Sequence, residues 1–188
     1  MSELQPVHKR LWLTGDKTPV LDILTEIVKH AQSPTMPVRI GTDAQKTGRY
    51  MSRVTGVVLH DDELRNGGRG FFTVMKEPKT QSLRQKLAEE TWDSIELAMA
   101  LVPVLPYGIE QIEIHVDANP NPKWKSNNHL QELTGMVMGQ GFRYVIKPDA
   151  WVASHFADHY VKGKHISSKA RKQERKASRS ARRRRKNR

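Results

Sequence analysis

Apolar residues along this 188-residue chain follow two periods, and the switch between them predicts its elements. Leu21, Ile23, Leu24, Ile27 and Val28 recur at helical spacing between Thr18-Pro19, an N-cap followed by proline in the first turn, and the breakers Ser33-Pro34. Three short β-branched and aromatic runs follow at 38–42, 53–59 and 70–75, separated by Gly48 and by the loop containing Asn66-Gly67-Gly68. Runs of this length bounded by turn residues predict three consecutive antiparallel strands. A long helix is expected over 81–101, stopped by Pro103 and Pro106, then a fourth strand over 109–116 ended by Asn119-Pro120-Asn121-Pro122. Ser126 or Asn127 caps a further helix running to Gln140, with Gly141 suited to its left-handed end. A fifth strand over 142–146 and a last helix over 150–161 complete the set. The order α-βββ-α-β-α-β-α predicts a mixed α/β sheet in which parallel, helix-linked strands extend an antiparallel one.

On this frame the acidic residues fall at telling positions. Strand alternation turns Arg39, Gly41 and Asp43 to one face and Val38, Ile40 and Thr42 to the other, while Glu113, His115 and Asp117 share a face. If the first and fourth strands are parallel neighbours, Asp43 and Asp117 emerge side by side, with Gly41 leaving room beneath, where open sheets bind ligands. At about 100° per residue, Leu83, Leu87, Ser94, Leu97 and Leu101 form one stripe of the long helix, with Glu90 inside it and Glu89 a quarter-turn outside. The same count on the last helix groups Asp149 with Val152, Ala153, Phe156 and Tyr160 and leaves Asp158 on the far side, which selects Asp149 as a fourth carboxylate. Carboxylates drawn together this way repel one another and lose hydration, so they call for a cation or for raised pKa values. With oxygen donors and no cysteine, Mg²⁺ or Mn²⁺ is favoured over zinc.

Each residue also has a plainer reading. Asp149 after Pro148 is a good N-cap, and Asp43 and Asp117 could simply begin turns. His155 and His159 stand at i, i+4, a spacing open to zinc, yet a solvated helix face explains them better. Trp12, Trp92 and Trp151 are expected to pack. Trp124, between Lys123 and Lys125, is instead a candidate for stacking on a nucleic-acid base.

Charge divides the chain. From Lys162 onward there are 14 Lys/Arg against Glu174 alone, a charge of +13, and the 18 basic and 19 acidic residues before it bring the chain to its formal +12. The expected organisation is an N-terminal extension (1–17), one domain (18–161) and a disordered basic tail (162–188). Arg182, Arg183, Arg184, Arg185 and Lys186 suit phosphate contacts, and nucleic acid is the expected partner. The absence of cysteine excludes disulfides and thiolate chemistry. With no signal-peptide core and no apolar stretch of spanning length, the expectation is a cytoplasmic protein without a membrane.

Several motifs together resemble one family. Ile40-Gly41-Thr42-Asp43-Ala44-Gln45, Gly48-Arg49, Thr55-Gly56-Val57-Val58, Ser82-Leu83-Arg84 with Glu90-Thr91, His115-Val116-Asp117, and Ile146-Lys147-Pro148-Asp149-Ala150-Trp151-Val152-Ala153-Ser154 are similar to the YkuK-like family of ribonuclease-H-like proteins. The resemblance implies a ribonuclease H-like fold with five strands in the order 3-2-1-4-5 and nuclease activity. It places Asp43 at the acidic end of the first strand, Glu90 on the helix, Asp117 at the end of the fourth strand and Asp149 in Lys-Pro-Asp. The run Ala118-Asn119-Pro120-Asn121-Pro122 departs from the family pattern, and the arginine-rich tail lies outside it. Four such acids suit phosphodiester hydrolysis with two Mg²⁺ or Mn²⁺ ions about 4 Å apart, one activating water and the other stabilising the leaving oxygen. Asp43 is the natural bridging ligand, and Lys147 or His155 is placed to meet the scissile phosphate. The leading expectation is thus a metal-dependent nuclease on RNA, DNA or a hybrid. The second is a catalytically weak RNA-binding module, associated with a ribonucleoprotein, that relies on its tail. No phosphate-binding Gly-x-x-x-x-Gly-Lys loop and no serine in a nucleophile elbow point elsewhere.

Overall fold

The structure is a computed structural model that describes residues 5–61, 68–78 and 82–160. In chain order it contains β1 (Trp12–Thr14), β2 (Pro19–Val20), α1 (Ile23–His30), β3 (Val38–Thr47), β4 (Tyr50–Leu59) and β5 (Arg69–Pro78). Then come α2 (Leu83–Leu101), β6 (Ile112–Val116), α3 (Leu130–Gly139), β7 (Arg143–Ile146) and a π-helix, Val152–Ala157. The expected boundary near Lys162 and the basic tail lie outside the described residues.

Among the described residues all strands join one mixed sheet, which has seven strands rather than five, in the order β2-β1-β5-β4-β3-β6-β7. The two additional strands, β1 and β2, lie beyond β5, where Trp12 pairs with Thr73 and Val20. At three and two residues they are too short to show a period of their own, which is why the sequence pattern passes over them. Residues in the segment set apart as an N-terminal extension also reach the core, for Val7 and Trp12 are fully buried in it.

The first helix starts later than Thr18-Pro19 suggests. Pro19 belongs to the edge strand β2, a place where its missing N–H costs no ladder bond. The cap is Asp22, whose carboxylate accepts from Leu24 N at 3.1 Å and from Thr25 N. Downstream, β3 and β4 form a ten-residue hairpin paired from Val38↔Leu59 to Thr47↔Tyr50, and Gly48 takes the positive φ of +66° at its tight turn.

Sheet alternation separates two apolar layers. Val38, Ile40, Val57, Phe71, Ile112 and Ile114 pack under α1, α2 and α3. On the opposite face Val54, Phe72, Phe156, Ala157 and Tyr160 make a smaller cluster with the π-helix. There Gly41 and Gly56 pair across β3 and β4 and admit the π-helix. A Cβ on Gly41 would lie 2.5 Å from Ala153 N, and one on Gly56 would lie 2.6 Å from the Phe156 ring. The room expected under the site at Gly41 is therefore filled by the Ala153 backbone.

Candidate metal centre

β3 outruns its parallel neighbour. Pairing with β6 runs from Val38↔Ile112 to Gly41↔His115, whereas the β3–β4 hairpin continues for six more residues. Two positions beyond the last parallel pair, Asp43 and Asp117 stand on the two adjoining strands, both only partly exposed. The stretch of β3 that β6 leaves uncovered is met by α2: Ala44 N donates to Glu90 Oε1 at 2.6 Å. Ser94, one turn on, holds the register through a 2.8 Å hydrogen bond between its Oγ and Thr42 Oγ1.

Lys86, one turn before Glu90 on α2, joins these acids. Its Nζ lies 2.7 Å from Glu90 Oε1 and 3.5 Å from Asp43 Oδ1. Lys147, in the turn after β7, places its Nζ 2.5 Å from Asp117 Oδ1 as an ion pair without hydrogen-bond alignment. Even so, Glu90 Oε2 and Asp117 Oδ1 remain buried without a hydrogen-bond partner. Lys86 was missed in the sequence; its only signal there is the i, i+4 relation to Glu90.

The electrostatics follow from this shortage of positive charge. Burial pushes Glu90, only 3% exposed, up to about 8 against the pull of Lys86, with Asp43 and Asp117 adding repulsion. Burial likewise raises Asp43 to about 6, opposed by Lys86 and reinforced by Asp117 and Asp158. Burial disfavours the Lys86 charge, but Glu90 and Asp43 outweigh it and raise its pKa, so the ammonium stays charged. One ammonium divided between Glu90 and Asp43 does not offset their desolvation.

The last segment sets its two acids in different surroundings. Asp149 is exposed in the turn that follows β7, while Asp158 is the acid of this segment whose charge acts on Asp43. The preference for Asp149 assumed α-helical phase throughout. Residues 152–157 instead form a π-helix, whose turns close on i+5. Asp158 comes five residues after Ala153, which packs on Gly41, and so returns to the side facing β3.

The remaining candidates are placed as follows. Trp124 is 59% exposed between exposed Lys123 and Lys125, in a loop after Asp117 that is closed by Trp124 N to Asn121 O (3.0 Å) and Asn119 N to Ser126 Oγ (3.2 Å). His155 is exposed with Nδ1 on Ser154 Oγ. Arg182, Arg183, Arg184, Arg185 and Lys186 lie outside the described residues. His115, on the Asp117 face of β6, accepts from Val152 N at Nδ1 (3.3 Å), which leaves its proton on Nε2, 3.0 Å from Glu113 Oε1. That bond is the first cause holding Glu113 below its usual range, and Arg39 adds to it. This chain ties the π-helix to β6.

Among the described residues no three His, Asp or Glu side chains are already drawn within reach of one ion; the acids reach Lys86 and Lys147 instead. Their chemistry nevertheless fits a hard divalent cation: all-oxygen donors, excess negative charge and a buried Glu90 Oε2 without a partner. Among the described residues, no helix is long and apolar enough to cross a membrane.

The chain is 27% identical over 160 residues to the uncharacterized protein YkuK of Bacillus subtilis (strain 168), a span covering 76% of this chain and 89% of that protein. No solved structure matches the chain significantly. The family described as "Ribonuclease H-like" matches residues 19–162, which take in every strand of the sheet but β1, and the chain therefore belongs to the ribonuclease H-like family, with a YkuK-like relative.

Proposed function

We propose that this domain hydrolyses phosphodiester bonds in nucleic acid with Mg²⁺ or Mn²⁺ bound by Asp43, Glu90, Asp117 and Asp158. The observation that carries the reading is that Asp43 within β3 and Glu90 on α2 share the Lys86 ammonium, with Asp117 just past β6 close enough to repel both, while Glu90 Oε2 is buried without a partner. When bound, the divalent ions supply Lewis-acid activation of water and stabilisation of the leaving oxygen. The protein's own residues do the rest. Ala44 N and the Thr42–Ser94 bond fix Glu90 against β3, and the Glu113–His115–Val152 chain fixes the π-helix that Asp158 follows. Lys147, beside Asp117, and the exposed Trp124 are placed for phosphate and base.

A second reading, a catalytically weak RNA-binding module, draws support from one feature: Lys86 and Lys147 already pair with these acids. The test is cleavage of labelled single-stranded RNA, duplex DNA and RNA–DNA hybrid in Mn²⁺ and in Mg²⁺. Cleavage lost in Asp43→Asn/Asp117→Asn with nucleic-acid binding retained supports the nuclease; binding with no cleavage in either metal supports the module.

A further inference from the structure

We propose that Lys86 is a tethered counter-ion that occupies the cation position between Asp43 and Glu90, and that a divalent ion binds by displacing it. The inference rests on the metal-centre reading above and adds a competitor to it.

Three features of the geometry carry it. The Lys86 ammonium is shared, at 2.7 Å from Glu90 Oε1 and 3.5 Å from Asp43 Oδ1, so it bridges an acid on α2 and an acid on β3 as a ligated ion would. Metal–oxygen distances are about 2.0–2.1 Å for Mg²⁺. Those oxygens must therefore close in on an ion, and the ammonium cannot remain between them. Glu90 keeps an anchor when Lys86 leaves, because Oε1 also accepts from Ala44 N, and its Oε2 is buried with no partner to give up. Lys86 has a way out: its side chain is 22% exposed, on a flexible four-carbon stem that begins one turn nearer the helix N-terminus.

The contrast with Lys147 sharpens the assignment. Lys147 meets Asp117 alone, with its side chain 33% exposed, so solvent screens the pair and its departure frees one acid only. Lys86 holds two acids, and it acts on Asp117 as well. It is the group whose position and a metal's position are mutually exclusive.

The experiment is calorimetric titration of the full-length protein with MnCl₂, comparing wild type, Lys86→Met and Lys86→Arg. Loss of the competing charge should tighten Mn²⁺ binding by about tenfold in Lys86→Met. Lys86→Arg, which keeps the charge, should bind no more tightly than wild type. Melting curves give an independent readout: Mn²⁺ should raise the Tm of Lys86→Met more than that of wild type. If Lys86→Met does not fold in chelator, folding on addition of Mn²⁺ supports the proposal and continued failure to fold opposes it. Equal or weaker Mn²⁺ binding in Lys86→Met overturns the tether and leaves the metal centre standing. No Mn²⁺ binding by wild type or variant overturns both.

Discussion

Two buried charge clusters lie along the same helix, α2, and they are built differently. In one, Arg53, 4% exposed, reaches Glu77 at 2.8 Å, Glu89 at 2.9 Å and Asp93 at 3.0 Å, and Arg10 adds bonds to both Asp93 oxygens. Two guanidinium forks serve three acids, and each acid receives a contact from an arginine. In the other, the point charge of Lys86 is shared by Glu90 and Asp43, and Asp117 has only Lys147, so Glu90 Oε2 and Asp117 Oδ1 are left without hydrogen bonds. A guanidinium fork matches several carboxylates at once, whereas an ammonium does not. Both clusters set two cations against three acids; the first, with its guanidinium forks, is a strut closing the sheet against α2, whereas the second leaves Glu90 Oε2 buried with no polar contact, an opening for a metal ion.

The largest effect that tests this contrast is on stability. Arg53→Met takes a buried guanidinium from buried Asp93 and half-buried Glu77 and Glu89, and should lower the unfolding free energy by about 3 kcal/mol in urea titrations, with activity per folded molecule retained. Asp43→Asn or Asp117→Asn should do the reverse: Mn²⁺-dependent cleavage falls about 100-fold or more while stability stays within about 1 kcal/mol of wild type. A stability loss as large as that of Arg53→Met would make the second cluster a strut as well.

Gly41→Ala comes next. Its new Cβ would lie 2.5 Å from Ala153 N, so β3 or the π-helix must shift, at a cost of about 1–3 kcal/mol in the same titrations, with cleavage reduced alongside.

The pH dependence has a definite sign. Glu90 and Asp43 are raised by folding to about 8 and about 6, so between pH 4 and 8 the native state binds more protons than the unfolded chain. Their contribution is fully favourable below their unfolded values and is lost as pH rises through 6 and then 8. In chelator the Tm should therefore fall from pH 5 to pH 8.5, and saturating Mn²⁺, which selects the ionised acids, should flatten that fall. A chelated protein whose Tm rises over this range contradicts the assignment.

The smallest expected effect is also a discriminating one. Asp149→Asn should leave cleavage within about twofold and stability within about 0.5 kcal/mol, whereas Asp158→Asn should cost about tenfold or more in cleavage. The opposite ranking would restore Asp149 and remove the π-helix from the site.

Much of the frame was legible before the structure. Period-2 runs identify β3 to β7, and alternation with helical phase brings out Asp43, Asp117 and Glu90, because regular elements repeat their geometry at every residue. What was not legible depends on departures from regularity or on distant partners. Trp12–Thr14 is too short to show a period, and Asp22 competes with Thr18 as a cap within five residues. The π-turn changes the phase that places Asp158, with no Pro, Gly pair or other local signal to announce it. Lys86 looks like an ordinary surface helix lysine until Asp43, far away in the chain, is folded against it.

The most direct measurement is a crystal grown from the full-length protein and soaked in MnCl₂, with anomalous scattering recorded at the manganese edge. The account predicts a peak bounded by oxygens of Asp43, Glu90 and Asp117, with Lys86 Nζ moved out of its place between Glu90 and Asp43. A fully occupied manganese peak elsewhere, or none at saturating Mn²⁺ with nucleic acid bound, would contradict it.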